Sequence, residues 1–129
     1  MGLGEVLGLS NKSQLASIAT NVMSKANIAQ EAWITPTLIN GWVSTIPVRY
    51  FKDTIGFIHL SGAVNGGSSG TTIFTLPSGY RPTQTTSTLA FDGESLSMLA
   101  LTIYSNGAVV LWGGHSSYVI LDLAIFRNN

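Results

Sequence analysis

The dipeptide Asn106-Gly107 stands inside a long uncharged stretch, and it constrains the fold more than any other feature. The run Ser95–Leu121 contains no Lys, Arg, Asp or Glu. Asn-Gly between two apolar runs is the strongest short-range signal of a β-hairpin with a type I′ turn. A two-residue turn pairs Leu101 with Trp112 and leaves both faces largely apolar. A sheet with one wet face should alternate apolar and polar residues, so we expect both faces to be covered.

Short apolar runs separated by turn residues recur from Trp33 onwards. They are rich in β-branched and aromatic residues, and Gly, Pro, Asn, Asp or Ser stand between them, which is typical of strands. Strands are predicted at 48–52, 57–64, 73–74, 88–91, 96–104, 108–112 and 118–126. About eight short strands with no helix among them predict an antiparallel β-sandwich of jelly-roll type.

The N-terminal residues follow a different period. Apolar residues at spacings of three and four predict a helix that begins near Ser10 or Asn11; they are Leu15, Ile18, Ala19, Val22, Ala26 and Ala29. Such a helix packs either on its own domain or in a parallel bundle around a symmetry axis, where small residues permit close approach. We therefore divide the chain into a helical stem or oligomerisation segment, 1–32, and a β-sandwich head, 33–129.

The composition restricts the partners. Only 9% of the residues are charged, compared with roughly a quarter in an average chain. A large subunit interface would cover such a surface, so a symmetric oligomer is predicted. The formal net charge of zero offers no electrostatic footprint for nucleic acid. No run reaches the ~20 apolar residues of a membrane span.

Two further features bear on chemistry and compartment. Cysteine is absent, which excludes disulfides and thiol chemistry. The N-terminus lacks the basic residues of a signal peptide, so we expect synthesis in the cytoplasm of the producing cell.

The segment 70–82 combines a strand with a structural corner. The corner residues are Pro77, Gly79, Tyr80, Arg81 and Pro82. The prolines fix φ, and the glycine tolerates a positive φ. The arginine is expected to reach back to backbone carbonyls, and the tyrosine to pack.

Segments 33–42, 48–62 and 73–82, in this order, resemble the C-terminal head domains of tail-fibre or receptor-binding proteins from phages and prophages of Gram-positive bacteria. The hairpin at Ser105-Asn106-Gly107 stands where those domains place one, so the resemblance covers residues 33–126. It implies a homotrimeric sandwich head on a short stem at the distal tip of a virion tail, with a pentamer as the alternative symmetry.

The resemblance also implies a function. Such heads adsorb to a cell-surface glycopolymer, teichoic acid or wall polysaccharide, with no enzymatic activity, cofactor or metal, and other tail or baseplate proteins are their partners. A structural baseplate or lytic-accessory prophage protein is the alternative. A hydrolase acting on the same polymers is the third hypothesis.

Saccharide binding requires an exposed aromatic ring with directional polar groups beside it. The candidate ligand-binding residues are those at or near loops: Asp92, Glu94, Trp112, His115 and Tyr118. For Trp112 the competing interpretation is packing in the core or at an interface.

Three patterns suggest catalysis or metal binding. The sequence 66–70 matches the Gly-x-Ser-x-Gly nucleophile pattern, but a predicted strand follows it where that mechanism requires a helix, so a flexible loop is favoured. Asp92 and Glu94 form a carboxylate pair of the kind used by glycosidases, although such turn residues usually face water. His59 lies within a predicted strand, which favours a structural or interface role over an ion site on a symmetry axis.

Overall fold

The computed structural model describes residues 30–114 and 117–128, and these contain no helix. The strands are β1 (Val43–Lys52), β2 (Phe57–Asn65), β3 (Thr72–Thr75), β4 (Thr86–Asp92), β5 (Ser97–Ile103), β6 (Ala108–Trp112), β7 (Val119–Ile120) and β8 (Ile125–Arg127). The predicted mainly β architecture is confirmed. The predicted helix and His115 lie outside the described residues.

All described strand pairs are antiparallel, and they belong to one sheet. The order is β1-β2-β7-β4-β5-β6-β3, and β8 pairs with β2 beside β7. The sequence predicted two sheets packed as a sandwich. The short strand β7 joins the two halves instead, because it pairs with Ala63–Val64 on one side and with Phe91–Asp92 on the other.

The sheet curls until its two edge strands face each other across the core. Tyr50 of β1 and Phe74 of β3 stack with ring centroids 6.1 Å apart and planes 8° apart. The segment before β1 also reaches the β3 edge, where Ile39 N donates to Ile73 O at 2.9 Å and Trp42 Nε1 donates to the Thr71 hydroxyl. The enclosed side chains form one apolar core.

The hairpin between β5 and β6 differs from the prediction by one residue. Leu101 pairs with Leu111, and Trp112 pairs with Ala100. The connection is three residues long, since Ala108 accepts from Tyr104, and of the turn residues only Gly107 has a positive φ, +94°. A type I′ turn needs positive φ at both central residues, so that prediction was wrong.

This shift reassigns the faces of β6, because side chains alternate along a strand. Leu101 and Leu111 both point into the core, where each is fully buried. Trp112 instead points outward and is 42% exposed.

The predicted C-terminal strand, 118–126, is two short strands with a turn between them. At the turn, Ala124 N donates to Leu121 O, and Asp122 Oδ1 accepts from Gly62 N at 2.7 Å. Leu121 N also donates to Gly62 O, so the chain turns around Gly62 and then pairs again with β2 as β8.

The segment after β3 forms a compact corner. Tyr80 N donates to Pro77 O at 3.1 Å, and Gly79 has a φ of +92°. The Arg81 Nε–H donates to Leu76 O at 2.8 Å, which ties the corner to the end of the preceding strand.

The corner also contacts the segment that leads into β1 and the last residue of β1. The Tyr80 hydroxyl lies 2.8 and 3.0 Å from the two carboxylate oxygens of Glu31, and Lys52 Nζ donates to Gly79 O. Burial, together with this carboxylate, raises the pKa of Tyr80 to about 12. The corner therefore fixes the position of Glu31, in the segment that leads into β1.

Candidate functional site

Three connections meet at one end of the sheet, and we call them the loop end. They are the β2–β3 loop (66–71), the β4–β5 turn (93–96) and the β6–β7 connection (113–118), whose residues 115–116 are not described. Gly93 N donates to Tyr118 O, and Gly113 N donates to the Ser69 hydroxyl, both at 2.8 Å. The structure thus joins the turn of Asp92 and Glu94 to Tyr118, while Trp112 lies beside the β2–β3 loop.

Asp92 is 2% exposed, and its carboxylate shapes the β4–β5 turn. Its Oδ1 accepts from Glu94 N at 3.0 Å and from Ser95 N at 3.1 Å, while its backbone oxygen accepts from Leu96 N. Side-chain acceptors of this kind replace strand hydrogen bonds at a turn. Asp92 therefore positions Glu94 for solvent and for any ligand.

Replacing Asp92 with alanine is expected to lower the free energy of unfolding by about 2 kcal/mol, because the carboxylate's charge-assisted hydrogen bonds are lost. Urea unfolding monitored by fluorescence measures the change. Asp92→Asn keeps one acceptor oxygen and is the matched control, with a smaller expected loss. Unchanged stability of Asp92→Ala would contradict this role.

Glu94 and Tyr118 both lie at the β4–β5 turn. The exposed carboxylate of Glu94 accepts from the Ser117 hydroxyl, which is one residue before Tyr118. The Tyr118 ring packs against Gly93 and is half-buried. Glu94 keeps lone pairs that can accept from a ligand hydroxyl, since a carboxylate offers about four acceptor sites.

Trp112 ends β6 and presents its ring at the margin of the loop end. A Cβ on Gly70 would lie 3.1 Å from this ring, so the missing side chain lets the loop lie close beside it. Within the described residues, the Trp112 indole N–H has no hydrogen-bond partner. An exposed ring flanked by the hydroxyl of Ser69 has the composition of a sugar platform.

Three residues that shape the loop end were not among the predicted site residues: Ser69, Gly70 and Ser117. The first two belong to the segment interpreted as a flexible connector. Their contacts with Gly113 and Trp112 follow from the neighbouring positions of β3 and β6, which local sequence does not specify. His115 belongs to the same connection as Ser117 but lies outside the described residues.

The structure also shows the surroundings of the Gly-x-Ser-x-Gly pattern and of the groups that could bind a metal. Ser68, at the centre of the Gly-x-Ser-x-Gly pattern, accepts from Thr71 through its backbone oxygen, and β3 follows directly. Across residues 30–114 and 117–128, no three His, Cys, Asp or Glu side chains are grouped so as to hold a metal ion. The described part of the chain also has no helix long and apolar enough to cross a membrane.

By sequence, the chain matches no family model and no curated protein. By structure, it is similar to the receptor binding protein gp15 of Listeria phage PSA, with a TM-score of 0.70 and 20% sequence identity. This likeness covers 100% of the chain and 88% of the phage protein. The chain has the fold of a phage receptor-binding protein. The resemblance of segments 33–42, 48–62 and 73–82 to phage receptor-binding proteins is thereby confirmed at the level of the fold.

Proposed function

We propose that this chain is the receptor-binding head of a phage tail tip, and that it adsorbs to a saccharide of the bacterial surface without hydrolysing it. The observation that carries the proposal is its likeness, over the whole chain, to a phage receptor-binding protein. The head would lie at the distal tip of the virion tail, with other tail or baseplate proteins as neighbours. Its ligand would be a wall glycopolymer, teichoic acid or polysaccharide.

The loop end is the proposed binding site. The C–H face of a sugar packs on the exposed Trp112 ring beside the Ser69 hydroxyl, and Glu94 accepts from a hydroxyl elsewhere along the same polymer. Trp112 is supplied by the end of β6, Glu94 by the β4–β5 turn and Ser69 by the β2–β3 loop. The site therefore depends on the folded head and not on one motif.

Binding without hydrolysis is supported by the state of the two carboxylates. Glycosidases need two carboxyl groups that flank the scissile bond. Asp92 is buried, and its carboxylate is occupied by the backbone of its own turn, whereas Glu94 is exposed. In this pair, one carboxylate is bound to the backbone of its own turn, and only the other faces the surface.

The proposed assembly is a homotrimer that covers the outer face of β4 and β5. Leu89 and Ala100 form a cross-strand pair on this face, and Met98 lies beside them; all three are exposed. Trp112 continues the same row on β6, because it pairs with Ala100. A second copy on this face would bring the saccharide site close to a subunit boundary, and repeated sites would strengthen weak binding through avidity.

Replacing Trp112 with alanine is expected to weaken adsorption of the full chain to intact host cells by about 10-fold, because each site loses its ring platform. The measurement is saturation binding of labelled protein, competed by purified wall polysaccharide. Ile55→Ala, at the opposite end of the sheet, is the control and should adsorb normally. Light scattering should give the mass of three chains for both variants.

Three results would contradict the proposal. Normal adsorption of Trp112→Ala would exclude the loop end as the site. Failure of the polysaccharide to compete would exclude a saccharide ligand. Release of reducing sugar from the purified polymer would assign the chain to the hydrolases.

A further inference from the structure

A row of rings crosses the outer face of the sheet near the β1–β2 turn, at the opposite end from the loop end. Phe51 pairs with His59, and His59 pairs with Ile125. An isolated bridge between Ile34 and Tyr50 places Trp33 beside Phe51. We call Trp33, Phe51 and His59 the aromatic row.

The rings of the aromatic row are in direct contact. The Trp33 and Phe51 centroids lie 4.4 Å apart with an edge-to-face angle of 81°. The Phe51 and His59 rings lie 4.7 Å apart and are nearly parallel, at 4°. Such contacts hold the ring positions without a ligand, so the surface is organised in advance.

Asp53 fixes one end of the row. Its Oδ2 lies 2.9 Å from His59 Nε2, and its Oδ1 accepts from Ile55 N and Phe57 N. The hydrogen bond with His59 holds the pKa of Asp53 below its usual value, and the two backbone donors add to this effect. The Asp53 carboxylate thus serves the turn and the imidazole.

Arg49 lies at the other end of the row. Its guanidinium carbon stands 4.7 Å from the centroid of the Trp33 ring. Within the described residues, Arg49 makes no hydrogen bond or ion pair, and the Trp33 indole N–H has no acceptor. Arg49 is exposed, and Trp33 is 42% exposed. Both therefore offer donors on a prepared aromatic surface.

An exposed arginine often lies on a ring only to cover apolar area. Here the position of Arg49 over Trp33 also orients the guanidinium, and its planar fork of donors matches two oxygens of a phosphate. The ring beside it suits the C–H face of a polyol or sugar. A ligand that combines an anion with such a face satisfies both residues at once.

We propose that Arg49 and Trp33 form a second binding site, which takes the phosphodiester of a polyol or sugar phosphate. The guanidinium binds the phosphate oxygens, and the Trp33 ring packs against the adjoining carbon chain. The inference rests on the proposed function only for the source of the ligand. A wall polymer and a lipid headgroup can both present glycerol phosphate, and we assign the wall polymer.

The test is titration of the full, ¹⁵N-labelled chain with a soluble glycerol-phosphate oligomer, followed through the tryptophan indole N–H resonances. The Trp33 signal should shift and saturate, while the Trp112 signal stays in place. Arg49→Gln should weaken binding by at least about 10-fold, because charge-assisted hydrogen bonds are lost. Arg49→Lys should bind with intermediate affinity, since it keeps the charge but not the fork.

Arg127→Gln is the matched control, because Arg127 lies over the Phe57 ring at 5.2 Å on a neighbouring strand. It removes the same charge and should leave binding unchanged. If both variants weakened binding equally, the effect would come from the loss of net charge and not from Arg49 itself. That result would overturn the proposal. Equal binding of uncharged glycerol would also overturn it.

Two more outcomes distinguish the second site from lipid binding and from the proposed saccharide site. Binding to vesicles of phosphatidylglycerol, with none to the soluble oligomer, would overturn the assignment to a wall polymer. Absence of oligomer binding, with normal adsorption to cells that polysaccharide competes, would overturn the second site and leave the proposed function standing.

Discussion

Replacing Gly62 with alanine is expected to lower the free energy of unfolding by at least about 3 kcal/mol. Gly62 lies within β2 at a φ of +108°, which side chains rarely adopt. A Cβ there would stand 2.5 Å from Pro47 O and 2.7 Å from the Val48 Cα. These are backbone atoms of β1, where the pairing is irregular between Ile46 and Arg49, so no side-chain rotation relieves the overlap.

Gly79→Ala is the matched control for this substitution. Gly79 also has a positive φ, +92°, but no atom lies within 4 Å of the Cβ position. Alanine there carries only the left-handed backbone penalty of about 1–2 kcal/mol. Urea unfolding at equal protein concentration measures both variants, because an oligomer's stability depends on concentration. Equal losses would contradict a steric requirement at Gly62.

Replacing Phe74 with alanine is expected to cost about 3–5 kcal/mol of unfolding free energy, from lost burial and the remaining cavity. Phe74 is fully buried in β3, and it stacks on Tyr50 of β1. It therefore joins the two edges of the curled sheet across the core. Because domains are stable by only about 5–15 kcal/mol, this variant approaches the limit of folding.

Leu123→Ala provides the surface reference for the Phe74 result. Leu123 is 50% exposed in the turn between β7 and β8. Its substitution should change the unfolding free energy by no more than about 0.5 kcal/mol. Thermal and urea unfolding, followed by circular dichroism, should rank the two variants in this order. A Phe74→Ala loss as small as that of Leu123→Ala would contradict the position of Phe74 in the core.

Most strands were predictable because their signals are local. Apolar runs rich in β-branched and aromatic residues, with turn residues on both sides, located β2, β5 and β6 to within a residue or two of their bounds. The beginning of β1 was missed, because Val43–Pro47 is exposed and includes a proline. Its strand character comes from pairing with β2, which a single-strand pattern does not reveal.

The predicted register of the β5–β6 hairpin was wrong because of a tertiary contact. Gly107 was interpreted as half of a type I′ turn, but its role is a close approach to the end of β3. A Cβ on Gly107 would lie 2.4 Å from Leu76 O, and Leu76 N donates to Gly107 O at 2.8 Å. The three-residue connection accommodates this contact and shifts every residue of β6 by one position.

The two candidate sites also differ in how much of each can be predicted from local sequence. Trp112 and Glu94 were named as candidates because aromatic and acidic residues beside turns can be recognised along the chain. The aromatic row was not found, since Trp33, Phe51 and His59 are separated in sequence and become neighbours only through cross-strand pairing. The sequence predicted the strands that contain Phe51 and His59, but not their register or the bridge from Ile34 to Tyr50 that places Trp33 beside them.

Local sequence was enough to predict a mainly β chain, the positions of its turns and a surface poor in charge, because these depend on side-chain chemistry within a few residues. The tertiary structure decided that one curled sheet forms, which residues meet at each end and what Asn106-Gly107 does. Strand order and register follow from long-range backbone pairing and from close approaches such as Gly107 to Leu76. The local sequence thus predicted that a hairpin forms, and the contact with the end of β3 set its geometry.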